Sequence, residues 1–157
     1  MIAEECLERY EKGERDFSGV DLTRVSLEEC TFDGVNFSQA ILRQVRMALV
    51  ELVNVNLEGA DLTDIEVFDI SWRECNLQSA NLERAILVES TLENVNLKKA
   101  NLRFSCWGDT TYLINADLRE AIWQDISDYP LRRNTIMPNG EIVTDEIELP
   151  DGSKIIL

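Results

Sequence analysis

From Phe17 to Trp107 every fifth residue is apolar, nineteen times without a break. The series opens Phe17, Leu22, Leu27, Phe32 and closes Leu97, Leu102, Trp107. At the chain's 45% hydrophobic content, chance would produce such a run about once in a few million trials. A period of five matches neither an amphipathic helix nor a lone strand. A second register runs two residues ahead of the first, from Val20, Val25 and Cys30 to Val95, Ala100 and Ser105. It holds small or medium residues, and only Ser90 and Ser105 are polar. A large and a smaller residue two apart share one face of extended chain. The two residues that follow are mostly polar, so the chain turns there. Each five-residue unit is therefore one side of a coil.

The number of sides is legible in rows of twenty. Asn36, Asn56, Asn76 and Asn96 fall in one column, with Asp16 before them and Asp117 after. Ala40, Ala60, Ala80, Ala100 and Ala121 fill another. Twenty residues per coil make four sides, so the spacing predicts a square all-β solenoid whose coils stack at about 4.8 Å. The asparagine column predicts a ladder of amides along the axis.

These residues resemble the pentapeptide-repeat family, whose pattern is A-(D/N)-L-x-x. The best local matches are Ala60-Asp61-Leu62, Ala80-Asn81-Leu82, Ala100-Asn101-Leu102 and Ala116-Asp117-Leu118. The resemblance implies a right-handed quadrilateral β-helix. The stretch LERYEKGERDF, from Leu7 to Phe17, is similar to the lead-in of small stand-alone cyanobacterial members.

The expected organisation is a single domain: a capping helix over 1–13, the repeat β-helix over 14–126 and C-terminal hairpins over 127–157. Ile2, Ala3, Cys6, Leu7 and Tyr10 share a face at helical spacing, and Gly13 stops the helix. Such a helix would cover the open first coil. Trp107 to Leu118 is eleven residues, so one residue is inserted around 108–113, and either Tyr112 or Leu113 points inward. Met137-Pro138-Asn139-Gly140 and Leu149-Pro150-Asp151-Gly152 are turn signals between Ile and Val residues. They mark two hairpins, or one ladder with a turn at each site. This segment either caps the last coil or offers an edge to a second molecule, so the protein is expected to be a monomer or a weak dimer.

Thirty acids against 15 bases leave a net charge of −15. That argues against direct nucleic-acid binding and suits basic partners. No apolar run approaches a membrane span and the acidic N-terminus is unlike a signal peptide, so a cytoplasmic location is expected.

There is no histidine, and no glycine-rich phosphate loop. Cys6, Cys30, Cys75 and Cys106 lack metal-ligand spacing. No catalytic residue, cofactor or metal is therefore expected. Cys30 and Cys75 read as buried filler. Cys106, and with it Cys6, reads as the accessible pair.

The outward positions are irregular on the third side. Ala48, Phe68 and Val88 share a column, bordered by Leu49 and Ile86, beside an acidic column of Asp69, Glu89 and Asp109. An apolar strip of this kind marks a candidate protein contact. The expected function is a non-enzymatic interaction module that presents a rigid acidic surface to a protein partner. The alternative follows from resemblance to the Qnr-type members, which mimic B-DNA and act on DNA gyrase. Against it, no long loops interrupt the repeats. Residues 17–127 carry 18 acids and nine bases, a net of −9.

Overall fold

The computed structural model describes residues 1–108, 110–148 and 154–156. It is a β-solenoid of square coils preceded by one helix, α1 (Ala3–Glu11). All nineteen large apolar residues from Phe17 to Trp107 point into the bore and are buried. Val20, Val25 and Cys30, in the small register of the first coil, are only half-buried, because no coil lies beneath them.

Two of the four sides form parallel sheets. The first contains β1 (Ser26–Glu28), β3 (Arg46–Ala48), β5 (Glu66–Phe68) and β7 (Ile86–Val88) in that order. The second contains β2 (Thr31–Asp33), β4 (Glu51–Val53), β6 (Ser71–Arg73), β8 (Thr91–Glu93), β9 (Tyr112–Ile114) and β10 (Leu131–Arg133), stacked in chain order. Partners in successive coils lie twenty residues apart, as Leu27, Met47, Val67 and Leu87 do. The other two sides are held by single bridges, such as Asn36 to Asn56 to Asn76 to Asn96.

The corners explain the period of five. Two residues after each inward side chain the backbone turns through positive φ, as at Gln39 (58°), Leu49 (56°), Asp69 (50°) and Lys99 (59°). Few of these positions are glycine, and a side chain in left-handed backbone costs about 1–2 kcal/mol. The stack over-determines the turn: the corner N–H of Gln39 donates to the Glu58 carbonyl of the next coil at 2.9 Å, and that of Asn54 to Arg73 at 3.0 Å. The strain is thus held by a ladder that neither coil could form alone.

The asparagine ladder is present. Asn36 Nδ2 donates to Asp16 Oδ1 at 3.0 Å, Asn56 to Asn36 at 3.2 Å, Asn76 to Asn56 at 3.1 Å and Asn96 to Asn76 at 2.9 Å. Each of these amide oxygens also accepts the backbone N–H two residues on, for instance Ser38 on Asn36 at 3.1 Å. Asparagine therefore closes its own turn and links coils at once. At Asp117 the ladder changes character, because that carboxylate pairs with Lys98 and Arg119.

The insertion resolves in favour of Leu113. Leu92 pairs with Leu113 and Thr91 with Tyr112, so Leu113 is buried in the bore and Tyr112 stands half-buried outside. Thr111 enters the small inward register with its hydroxyl donating to the Leu87 carbonyl at 2.9 Å. Ser90 and Ser105 are satisfied likewise, Ser105 by donating to Leu102 and accepting from the Trp107 indole. Among the described residues the Trp72 indole N–H is a buried donor without a partner.

The helix lies over the first coil. Tyr10 meets Phe32 edge-on at 5.0 Å, Phe32 meets Phe37 at 5.5 Å, and the Tyr10 hydroxyl accepts the Asp33 N–H at 3.0 Å. Phenylalanine rather than leucine fills the first coils where this contact is made. Ile2 departs from the expected apolar face: it precedes the helix in extended backbone and is 62% exposed.

At the other end parallel pairing continues beyond residue 126, through β10 to a bridge between Asp117 and Ile136. The register then admits a charge. Arg132 pairs with Leu113 and so occupies the inward column. Its guanidinium makes two bonds to Asp145, at 2.8 and 2.9 Å, and its backbone N–H makes a third at 2.7 Å. Two separate hairpins follow, not one ladder: β11 (Thr135–Ile136) with β12 (Ile142–Val143), and β13 (Glu146–Glu148) with β14 (Lys154–Ile156). The second turn, at Leu149-Pro150-Asp151-Gly152, lies outside the described residues.

Candidate protein-interaction face

The sheet of β1, β3, β5 and β7 presents three outward columns. The middle one is Glu28, Ala48, Phe68, Val88, set in register by the parallel pairing. The structure thus brings Ala48, Phe68 and Val88 together as the sequence predicts. Each is half-buried, since its neighbours in the column cover part of it. Ile86 borders them in the column Ser26, Arg46, Glu66, Ile86 and is 36% exposed. Leu49 stands at the corner, 55% exposed, with Glu29, Asp69 and Glu89 in the equivalent turn of the other coils. Asp109, the expected end of that acidic column, lies outside the described residues.

Phe68 is the one aromatic ring of the strip. The Arg46 guanidinium lies over it, 5.7 Å from the ring centre. Above Val88 the chain places Gly108 at φ 61°, and a Cβ there would come within 3.1 Å of a Val88 methyl. This glycine lets the strip continue to the top coil without a clash.

The cysteines require two corrections. Cys6 is fully buried rather than accessible, because the helix turns it onto the first coil. Burial pushes its thiol up to about 11. Cys30 is half-buried rather than buried, with burial again raising its thiol. Cys75 is buried as expected and raised to about 11 by desolvation. Cys106 faces outward, half-buried, with its thiol 3.3 Å from Asp128 Oδ2.

Among the described residues no group of three His, Cys, Asp or Glu side chains is placed to hold a metal ion. No helix among them is long and apolar enough to cross a membrane. Thr111, Thr135 and Arg132 are inward polar positions that the five-residue spacing does not reveal. The signal for Arg132 is a spacing of nineteen from Leu113, which is legible only once the insertion is placed.

The square coil, the left-handed corners and the stacked asparagines define a pentapeptide-repeat solenoid. The family's sequence model, described as "Pentapeptide repeat region", matches residues 20–102. The chain belongs to the pentapeptide-repeat family. Among solved structures it is similar to Rfr23, a pentapeptide repeat protein from the cyanobacterium Cyanothece 51142. The identity is 25%, with a TM-score of 0.57, covering 85% of this chain and 98% of that one. It also aligns with QnrB1, a plasmid-mediated fluoroquinolone resistance protein, at 18% identity and a TM-score of 0.36, covering 72% of this chain and 67% of that one. HetL, a pentapeptide repeat protein involved in heterocyst differentiation regulation in Nostoc, aligns at 18% identity and a TM-score of 0.21, covering 91% and 100%. No curated protein sequence matches the chain.

Proposed function

We propose that this protein is a non-enzymatic interaction module that docks a protein partner on the face of β1, β3, β5 and β7. The observation that carries the reading is the register of Ala48, Phe68 and Val88, which sets an outward aromatic in the middle of an apolar column on a rigid sheet. A solenoid wall keeps such side chains at fixed spacing, so little order is lost on binding. Aromatic anchors of this kind carry much of an interface's energy when a partner buries them.

The test is Phe68→Glu. The ring points away from the bore, so the variant keeps the fold, seen as an unchanged thermal midpoint. Capture of partners from native extract by the immobilised protein falls at least tenfold. Loss of folding would place Phe68 inside and overturn the register. An intact variant that retains every partner would reject the face as a docking site.

A further inference from the structure

Resting on that docking face, we infer that the partner segment is a basic amphipathic helix lying parallel to the solenoid axis. The first argument is how the carboxylates are compensated around the square. On the turn-linked sides most are paired, as Asp64 is with Arg84, Asp117 with Lys98, Glu120 with Lys99 and Asp125 with Arg103, while Asp16, Asp21 and Glu58 have no cation within 4.0 Å among the described residues. The apolar face differs. Glu28, Glu29, Glu66, Asp69 and Glu89 have no cation within 4.0 Å among the described residues. The face's own cation, Arg46, lies over the Phe68 ring. On this face, as for Asp33, Glu74 and Glu93 on the neighbouring sheet, the charge is uncompensated among the described residues, but only here does it border an apolar column, and a partner with apolar residues flanked by lysine or arginine matches both features.

The second argument is spacing. Ala48, Phe68 and Val88 sit on three successive coils, about 10 Å from first to last at strand spacing. A helix repeats its apolar face at i, i+3 or i+4, and i+7, also about 10 Å in all. An added strand has nothing to pair with on this face. The backbone groups of the inner strands are already bonded to the coils on either side, as Glu66 N–H is to Val45 and Leu49 N–H to Phe68. Recognition on the face is by side chains, which is how a helix docks on a groove or sheet.

The experiment is selection of random 16-residue displayed peptides on the immobilised full chain, with Phe68→Glu as the parallel bait. An Asp69→Lys/Glu89→Lys double variant serves as the charge control, and circular dichroism verifies all three folds. Enriched peptides are expected to carry lysine or arginine flanking apolar residues at helical spacing. They should be lost on Phe68→Glu and weakened about tenfold by the double reversal or by raising salt from 50 to 500 mM. Enriched peptides that are neutral or acidic yet still lost on Phe68→Glu would overturn the basic-helix inference and leave the docking face standing. Basic peptides that bind Phe68→Glu equally well, or no enrichment over that bait, would overturn both.

Discussion

A single side chain in this fold is governed by its place in a five-residue cycle, and the cysteines show how much that decides. Cys6 and Cys75 are buried, and desolvation raises both to about 11. At pH 8 such a thiol is ionised about a hundredfold less than an ordinary one, before occlusion is counted. Under native conditions a thiol reagent should therefore label Cys106 first and Cys30 more slowly. Cys6 and Cys75 should stay silent until denaturant is added. Mass spectrometry of the labelled chain decides it, and fast labelling of Cys75 would contradict its inward register. Phe68 obeys the same cycle from outside, so a charge is tolerated there that the bore at Leu62, fully buried, would not accept.

Elements here are too short to stand alone, since strands of three residues gain stability only by stacking. The ends are where stacking stops, and each end has its own closure. At the N-terminal end Tyr10 of the helix packs on Phe32, which meets Phe37 and through it Phe17, and Cys6 is buried with them in the core. At the C-terminal end Arg132 breaks the apolar column, and Asp145, just after β12, neutralises it. Asp145→Asn should leave the half-buried guanidinium without its charge partner. The expected cost is about 1–3 kcal/mol, a drop of several degrees in the thermal midpoint. Hydrogen exchange should quicken at β10 to β12 first. Replacing both residues by leucine should recover most of the loss, because neither partner is then left buried and alone. A single variant as stable as the wild type would show that the ion pair does not hold the hairpin.

At the scale of the whole molecule, charge sets the response to pH and the range of possible partners. The Arg119 guanidinium, helped by the Arg119 backbone N–H and Lys98, outweighs burial and holds Asp117 down at about 2. Arg84 lowers Asp64. At Asp145 burial acts to raise the carboxyl, but the bonds from Arg132 together prevail and lower it. A carboxyl with a lowered folded value stabilises the fold fully above its unfolded value, near 3.8, and loses that contribution as pH falls towards 2. The thermal midpoint should be level on the neutral side of about pH 4 and fall between about pH 4 and 2. Asp117→Asn should flatten part of that fall. An unchanged acid limb in the variant would remove Asp117 from the account. DNA mimicry, by contrast, requires an unbroken acidic rod. Arg43, Arg84, Lys98, Lys99, Arg103 and Arg119 neutralise carboxylates on two sides of the square. Purified protein is therefore expected not to inhibit DNA supercoiling by gyrase at about 10 micromolar, a level at which a steered electrostatic mimic would act. Inhibition that disappears at raised salt would reverse this expectation.

The sequence alone determined what repeats. An inward leucine, a small residue two before it and an asparagine every twenty residues each restate one local rule. Repetition makes the coil, its four sides and its amide ladder readable without coordinates, and the outward column of Ala48, Phe68 and Val88 follows from the same arithmetic. Tertiary structure decided what does not repeat. Leu113 rather than Tyr112 turns inward because β9 must pair with β8, a constraint carried by the neighbouring coil and not by residues 108–113 themselves. Cys6 is buried because a helix folds back onto a coil it does not belong to. Arg132 can take an inward register position at the end of the stack because Asp145, thirteen residues later, returns to meet it. Which carboxylates find a cation depends on side chains about twenty residues apart meeting across the stack. That most carboxylates of the turn-linked sides are paired while Glu28, Glu29, Glu66, Asp69 and Glu89 beside the apolar column are not is therefore decided only once the coils are stacked.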